Sequence, residues 1–306
     1  MEKFLTLPPA VIAAIVAAIT SLATLLLTLL TKNFIEKRLL IFKLDTEHKF
    51  DQRKKIKTVL AANKSHLLNA CENLNHRLWN FGKPDHFKWL DVKSSYITPN
   101  YYFHSTIYRI LAVYAWMQKI QTELIHLDTT IASKEDLEFI KFIRFYGRIF
   151  SDTDFFKDLD YDYNYQTDHI FKNNIDELYQ CVVNNERIIT YNEFTGNLGT
   201  LHRQGNLLPF YKLLDGVNDF ENRLRWQWFP ILKLLNIAFL NAYGYDYQQT
   251  SDEKLLKAIR NPKAKLYGSF IFLLTEHKLE GQKEIKRLIK LLKKAYPDLN
   301  IKAGTN

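Results

Sequence analysis

The chain has 306 residues, with 42 Lys and Arg against 33 Asp and Glu and only two cysteines. An apolar share of 47% with 25% charged residues excludes a wholly disordered chain. Cys71 and Cys181 are too few for a disulfide scaffold or a cysteine-rich metal module. The basic excess is confined to the ends: residues 32–60 carry net +5 and residues 276–306 net +4, while residues 61–275 cancel.

Residues 4–31 form the first element, 28 positions without a charge, bounded by Lys3 and Lys32. A bilayer core needs about 20 apolar residues in a helix, so this stretch predicts a transmembrane helix. Pro8 and Pro9 suit a helix start, where a missing N–H costs nothing. A cleaved signal peptide fits worse, because its apolar core is shorter and ends in small residues, whereas this run ends Leu-Leu-Leu-Thr-Leu-Leu. Only Lys3 precedes the segment, whereas nine basic residues follow before position 60. The positive-inside rule then predicts a single-pass cell-membrane protein, N-terminus outside and C-terminal domain cytoplasmic.

Within the span, Ala10, Ala13, Ala17, Thr20, Thr24, Thr28 and Thr31 recur at steps of three and four and share one arc of the helix. Small residues allow close backbone approach, so Ala13, Ala17, Thr20, Thr24 and Thr28 are expected to form a self-association seam in a homo-oligomer. Lys32, Lys37 and Arg38 after the span, with Lys286, Arg287 and Lys290 near the C-terminus, are expected at the surface of anionic inner-leaflet lipid.

From residue 33 to about 80 there is neither proline nor glycine, and the pattern predicts a basic helical stalk, residues 32–60, leading into a buried helix. Ile56, Leu60, Leu67, Cys71, Leu74 and Leu78 recur at helical spacing, with Asn63 interrupting the stripe. Gly82, Pro84 and Pro99 mark a break. A helix over residues 102–127 is expected to bury one side through Ile107, Leu111, Tyr114 and Met117. Ser133 and Asp136 have capping-box spacing and open a helix to about residue 150, apolar on more than one face. An irregular acidic arm (151–168), a helix (169–183), a flexible connection at Gly196, Gly199 and Gly205, and a long helix from Asn218 kinked by Pro230 follow. Thr250 or Ser251 opens a short helix to Ile259, helices over 266–276 and 280–296 complete the chain, and short strands are expected near 187–191 or 161–165. The expected fold class is mainly α: transmembrane anchor (1–31), stalk (32–60) and a helical-bundle-like cytoplasmic domain (61–306).

None of the common nucleotide, hydrolase or zinc motifs occurs. His66, Cys71 and His76, at five-residue steps on a helix, point in different directions and make a poor zinc site. The acidic arm carries Asp152, Asp154, Asp158, Asp160, Asp162 and Asp168, followed by His169. Asp158, Asp160 and Asp162 are the candidate ligands for a divalent cation, although the loop is no EF-hand, since Tyr163 and His169 occupy the places of its glycine and glutamate. Arg223, Arg225, Trp226 and Trp228 mix cations with aromatics, but the neutral middle domain argues against nucleic acid. No organic cofactor is implied. The resulting expectation is a membrane-tethered interaction or regulatory protein with an unidentified protein partner. A metal-dependent membrane-anchored enzyme using the acidic arm and an oligomerising membrane-active effector are the alternatives.

Overall fold

The computed structural model describes residues 8–81, 88–157, 159–166, 168–260 and 264–299. Gly82, Pro84, Asp158, Asn261 and Pro262, which the sequence reading used, lie outside these. The fold is mainly α, with one two-residue antiparallel strand pair, β1 Val183–Asn184 and β2 Arg187–Ile188. The chain divides into two units, residues 1–55 and 56–306.

In the first unit the described residues are helical from Pro9 onward, the start of α1 (Pro9–Asn80). It contains the one described stretch long and apolar enough to cross a membrane, with none of that stretch buried against protein. The hydroxyls of Thr20, Thr24, Thr28 and Thr31 donate to the carbonyls of Val16, Thr20, Thr24 and Leu27, so each donor is satisfied inside its own helix. The exposed apolar surface does not stop at Lys32: Phe34, Ile35, Leu39, Leu40, Ile41, Phe42 and Leu44 are also exposed, between the pairs Lys32–Glu36 and Lys43–Glu47.

The second unit begins where α1 acquires a buried face. Ile56, Leu60, Asn63, Leu67, Cys71, Leu74 and Leu78 are all buried, as their spacing requires. Asn63 is tolerated there because its amide donates to Val59 O and to a Glu123 carboxylate oxygen (3.0 and 2.8 Å). Helix α2 (Tyr101–Leu124) is capped by Asn100 and is buried on nearly every side, where a single buried face was expected. The reason is the number of its neighbours. It meets α1, α3 (Lys134–Tyr146), the turn Tyr179–Val182, β2 and α5 (Tyr191–Gly196).

Helix α3 opens on Ser133, whose hydroxyl accepts from Asp136 N–H, and it stops at Tyr146 rather than continuing to 150. Helix α4 (Lys172–Leu178) is shorter than expected. The glycine-rich connection is helical instead: α5 opens on a Thr190–Glu193 capping box, α6 (Leu198–Gln204) follows, and Gly205 ends it at φ +74°. After α7 (Leu208–Leu214) the long helix expected from Asn218 is absent. Asn218 Oδ1 accepts from Phe220 N–H, an Asx turn that competes with helix, and Leu224 N–H donates to Asp168. Helix α8 begins only at Trp228 (Trp228–Tyr243), so Pro230 sits in its first turn and causes no kink. Helices α9 (Asp252–Ile259, capped by Ser251), α10 (Tyr267–Glu276) and α11 (Lys283–Ala295) fall where the sequence placed them, and α9 and α11 pack on α8.

A polar chain runs through the core. Tyr114 OH donates to Tyr146 O, Tyr146 OH to Asn236 Oδ1, and Asn236 Nδ2 to Cys71 O, linking α2, α3, α8 and α1. Burial holds the Cys71 thiol and the Tyr114 and Tyr146 phenols protonated, well above their ordinary pKa values.

Candidate functional site

Two contiguous hollows of about 540 and 680 Å³ open in the second unit and share Tyr101 and Arg109. One wall comes from α1 (His66, Asn69, Asn73, Arg77) and another from α2 (Tyr101, Ser105, Tyr108, Arg109, Trp116). The segment 188–191 and the pair Lys88 and Trp89 complete the lining. Local chemistry fixes these walls. The Thr190–Glu193 capping box holds Tyr191, and Tyr108 OH donates to Ile189 O (2.8 Å). His66 stacks on Trp116, ring centroids 4.6 Å apart and nearly parallel. Arg187 pairs with Glu193, whose carboxyl is lowered to about pKa 2 by hydrogen bonds from Arg187 and Thr190.

The electrostatics are one-sided. Arg77, Lys88 and Arg109 line the cleft, and no carboxylate does so among the described residues. Arg77 is only 3% exposed. Its Nη1 donates to Tyr102 O (3.1 Å) and its Nη2 to Ser105 Oγ (2.7 Å), and its Cζ lies 3.8 Å from the Tyr102 ring centroid. Its Nε is buried without a hydrogen-bond partner. Arg109 Nη1 donates to Asn73 O (3.2 Å), and neither arginine has an ion-pair partner among the described residues. Burial, and then the positive charge of Arg109, lower the Arg77 pKa from its ordinary value, but a guanidinium remains charged at neutral pH. Buried charge is ordinarily paired, so a cleft with two unpaired arginines is chemically complemented by an anion.

The residues singled out in the sequence are placed elsewhere. Asp158 lies outside the described residues. Asp160 and Asp162 are exposed, and Asp162 Oδ1 accepts from Asn164 N–H. Among the described residues no group of three or more His, Cys, Asp or Glu side chains converges as metal ligands would. Asp168 is buried and structural: it accepts from Arg223 Nε (2.8 Å) and Leu224 N–H (2.7 Å), while its carbonyl accepts from Trp228 Nε1 (2.6 Å). Phe155 and Phe156 pack on Trp228 and dock the acidic arm, with Tyr163 and Tyr165 left in solvent. Arg225 is no surface cation either, since it is buried against Glu221 and the carbonyls of Lys212, Leu213 and Asp215.

Ala13, Ala17, Thr20, Thr24 and Thr28 lie exposed along α1, as do Lys32, Lys37 and Arg38. On α11 Lys286 and Lys290 are exposed, whereas Arg287 is held by Asp252 and Glu284 (both 2.7 Å). Lys283, Lys293 and Lys294 are exposed on the same helix as well, and its buried face is Ile285, Leu288 and Leu292.

Sequence reasoning missed Arg77 and Arg109. One signal was there: Arg77 sits beside Leu74 and Leu78 at the edge of the apolar stripe, a place where a charge needs a reason. Compared with protein families, curated proteins and solved structures, the chain matches none.

Proposed function

We propose that this is a membrane-tethered regulatory or interaction protein whose helical domain binds an anionic ligand in the cleft between α1 and α2. The observation that carries the reading is the pair Arg77 and Arg109, which line one cleft without a carboxylate partner. In this reading residues 9–31 anchor the chain in the cell membrane, with the N-terminus outside and the helical domain cytoplasmic. Support comes from the uncharged and unburied helix there and from the basic residues that follow it. Lys32, Lys37 and Arg38, and separately Lys286 and Lys290, contribute about 1 kcal/mol each of attraction when close to anionic lipid.

Self-association through Ala13, Ala17, Thr20, Thr24 and Thr28 belongs to the same proposal. The threonine hydroxyls already donate within the helix, so such a seam works through close packing rather than through interhelical donation.

The test is direct. Full-length protein in nanodiscs should gain thermal stability on addition of inorganic phosphate, and the Arg109→Gln variant should gain much less. A wild-type protein indifferent to phosphate, sulfate and organic phosphates sinks the cleft reading. A reporter enzyme fused to the C-terminus that is active only outside the cell sinks the topology.

A further inference from the structure

We infer that the ligand of the cleft is an organic phosphate carrying a planar ring, a nucleotide, with its phosphate at Arg109 and Arg77 and its ring on Tyr101. The inference rests on the anion-binding reading and adds the identity of the non-ionic part of the ligand.

Phosphate alone leaves most of the cleft unused. An inorganic anion occupies a few atoms' width at the two guanidinium groups. The hollows around them amount to about 540 and 680 Å³, within the range of small-molecule sites. Their lining is rich in rings: Trp89, Tyr101, Tyr102, Tyr108, Trp116 and Tyr191. Aromatic faces next to arginine are the usual means of holding a base and its phosphate together.

Tyr101 is the ring best placed for stacking. It lines both hollows, it is 63% exposed, and its ring centroid is 5.7 Å from Arg77 Cζ. The Arg77 guanidinium lies over the Tyr101 ring, so a planar ring laid on Tyr101 shares its lining with that cation. Tyr101 meets Tyr191 edge to face (5.7 Å, 89°), which fixes the orientation of the ring. Exposure of so large an apolar surface at the first position of α2 is not needed for folding, because the N-cap there is Asn100 and the core contacts begin at Tyr102.

The neutral polar groups in the lining agree with a base and a sugar. Asn69 and Asn73 offer neutral donors and acceptors, beside Ser105 and Thr190, whose hydroxyls already serve Arg77 and Glu193. A fatty chain would use neither the amides of Asn69 and Asn73 nor the guanidinium groups. Among phosphate sources, a free nucleotide is thus favoured over a lipid headgroup, which has no planar aromatic ring to stack.

The experiment is a calorimetric titration of the full chain in nanodiscs of zwitterionic lipid. The probes are adenosine and uridine 5′-monophosphate, ribose 5-phosphate and inorganic phosphate. A nucleotide should bind at least 10-fold more tightly than ribose 5-phosphate. Tyr101→Ala should remove most of that advantage while leaving ribose 5-phosphate affinity within 2-fold. Arg109→Gln should weaken every probe by 10-fold or more, with an unchanged circular dichroism spectrum as the folding control. Equal binding of nucleotide and ribose 5-phosphate, or a nucleotide preference that survives Tyr101→Ala, overturns the nucleotide assignment and leaves the anion site standing. Competition by vesicles containing phosphatidylinositol 4-phosphate, and not by pure phosphatidylcholine, also overturns it and assigns the phosphate to lipid. Absence of binding by any probe, or binding indifferent to Arg109→Gln, overturns both.

Discussion

Two arginines are buried in this fold to nearly the same degree, and they should respond to the same substitution very differently. Arg225 is bound to the Glu221 carboxylate (2.8 Å), which is itself 14% exposed, and to the carbonyls of Lys212, Leu213 and Asp215. Arg225→Met strands a largely buried carboxylate and several carbonyls, and removal of one partner of such a pair costs about 3–5 kcal/mol. Arg77→Met strands nothing comparable. Tyr102 O also accepts from Thr106 Oγ1 (2.7 Å), and Ser105 Oγ has Tyr102 O within reach (3.5 Å). The losses are two charge-assisted hydrogen bonds at about 1.5–3 kcal/mol each and a cation–π contact of about 1 kcal/mol. Against them stands the relief of a desolvated, unpaired charge beside Arg109, worth several kcal/mol.

The expected net effect for Arg77→Met is close to zero, compared with a loss of about 3–5 kcal/mol for Arg225→Met. At about 2–4 °C per kcal/mol for a domain of this size, near-ultraviolet circular dichroism on the detergent-solubilised full chain should show a melting temperature little changed for the first variant. The second should fall by about 10 °C. Added phosphate should stabilise the wild type and not Arg77→Met. If Arg77→Met falls as far as Arg225→Met, then Arg77 is a structural residue and the cleft argument is refuted.

Three further predictions concern the same domain. Burial, and then the charge of Lys257, depress the Lys233 pKa from 10.5 to about 8, although its Nζ lies 3.9 Å from the Trp79 ring. Below pH 8 the lysine is charged in both states and the folded state bears the full desolvation. As pH rises from 8 to 10.5 the folded state sheds the proton first and stability rises, by up to about 3 kcal/mol, and Lys233→Met should abolish that rise in denaturation measured across this window. Asp168→Ala leaves Leu224 N–H and Arg223 without their acceptor and should cost about 2–3 kcal/mol in thermal melts, equally with and without magnesium or calcium. A dependence of that loss on the metal would restore the acidic arm as a cation site. Gly244→Ala places a Cβ 2.5 Å from Leu240 O and 2.7 Å from Gln248 Oε1 and should lose roughly 1–3 kcal/mol by the same melts. A neutral result would show that the backbone after α8 yields.

What the sequence revealed, and what it hid, follows from the range of the interactions involved. The stripe from Ile56 to Leu78, the caps at Ser133 and Ser251 and the apolar side of α11 are local patterns, and they fold as their spacing indicates. Where the reading of 218–227 and of the cleft failed, a distant partner is involved, whereas the helical turn at 191–196 follows from a local Thr190–Glu193 capping box that the glycines obscured. Residues 218–227 carry a helical pattern, yet Asp168, some 55 positions earlier, takes Leu224 N–H and Arg223. Arg77 and Arg109, 32 positions apart, come to line one cleft only when α1 and α2 pack together. The cluster of aspartates suggests chemistry because acids adjacent in sequence can converge; among the described residues no group of three or more acidic, His or Cys side chains does so, and Asp158 lies outside them.

The chain of hydrogen bonds from Tyr114 through Tyr146 and Asn236 to the carbonyl of Cys71 bears on how the domain comes apart. Faces made of Phe and Leu can slide past one another with little change in contact, but a buried amide and phenol that slip out of step have no water to turn to. Four helices are thereby pinned to a single alignment. Amide protons in α2 and α8 should accordingly exchange with solvent at one shared, slow rate, because no member of the set can open without unlocking the others.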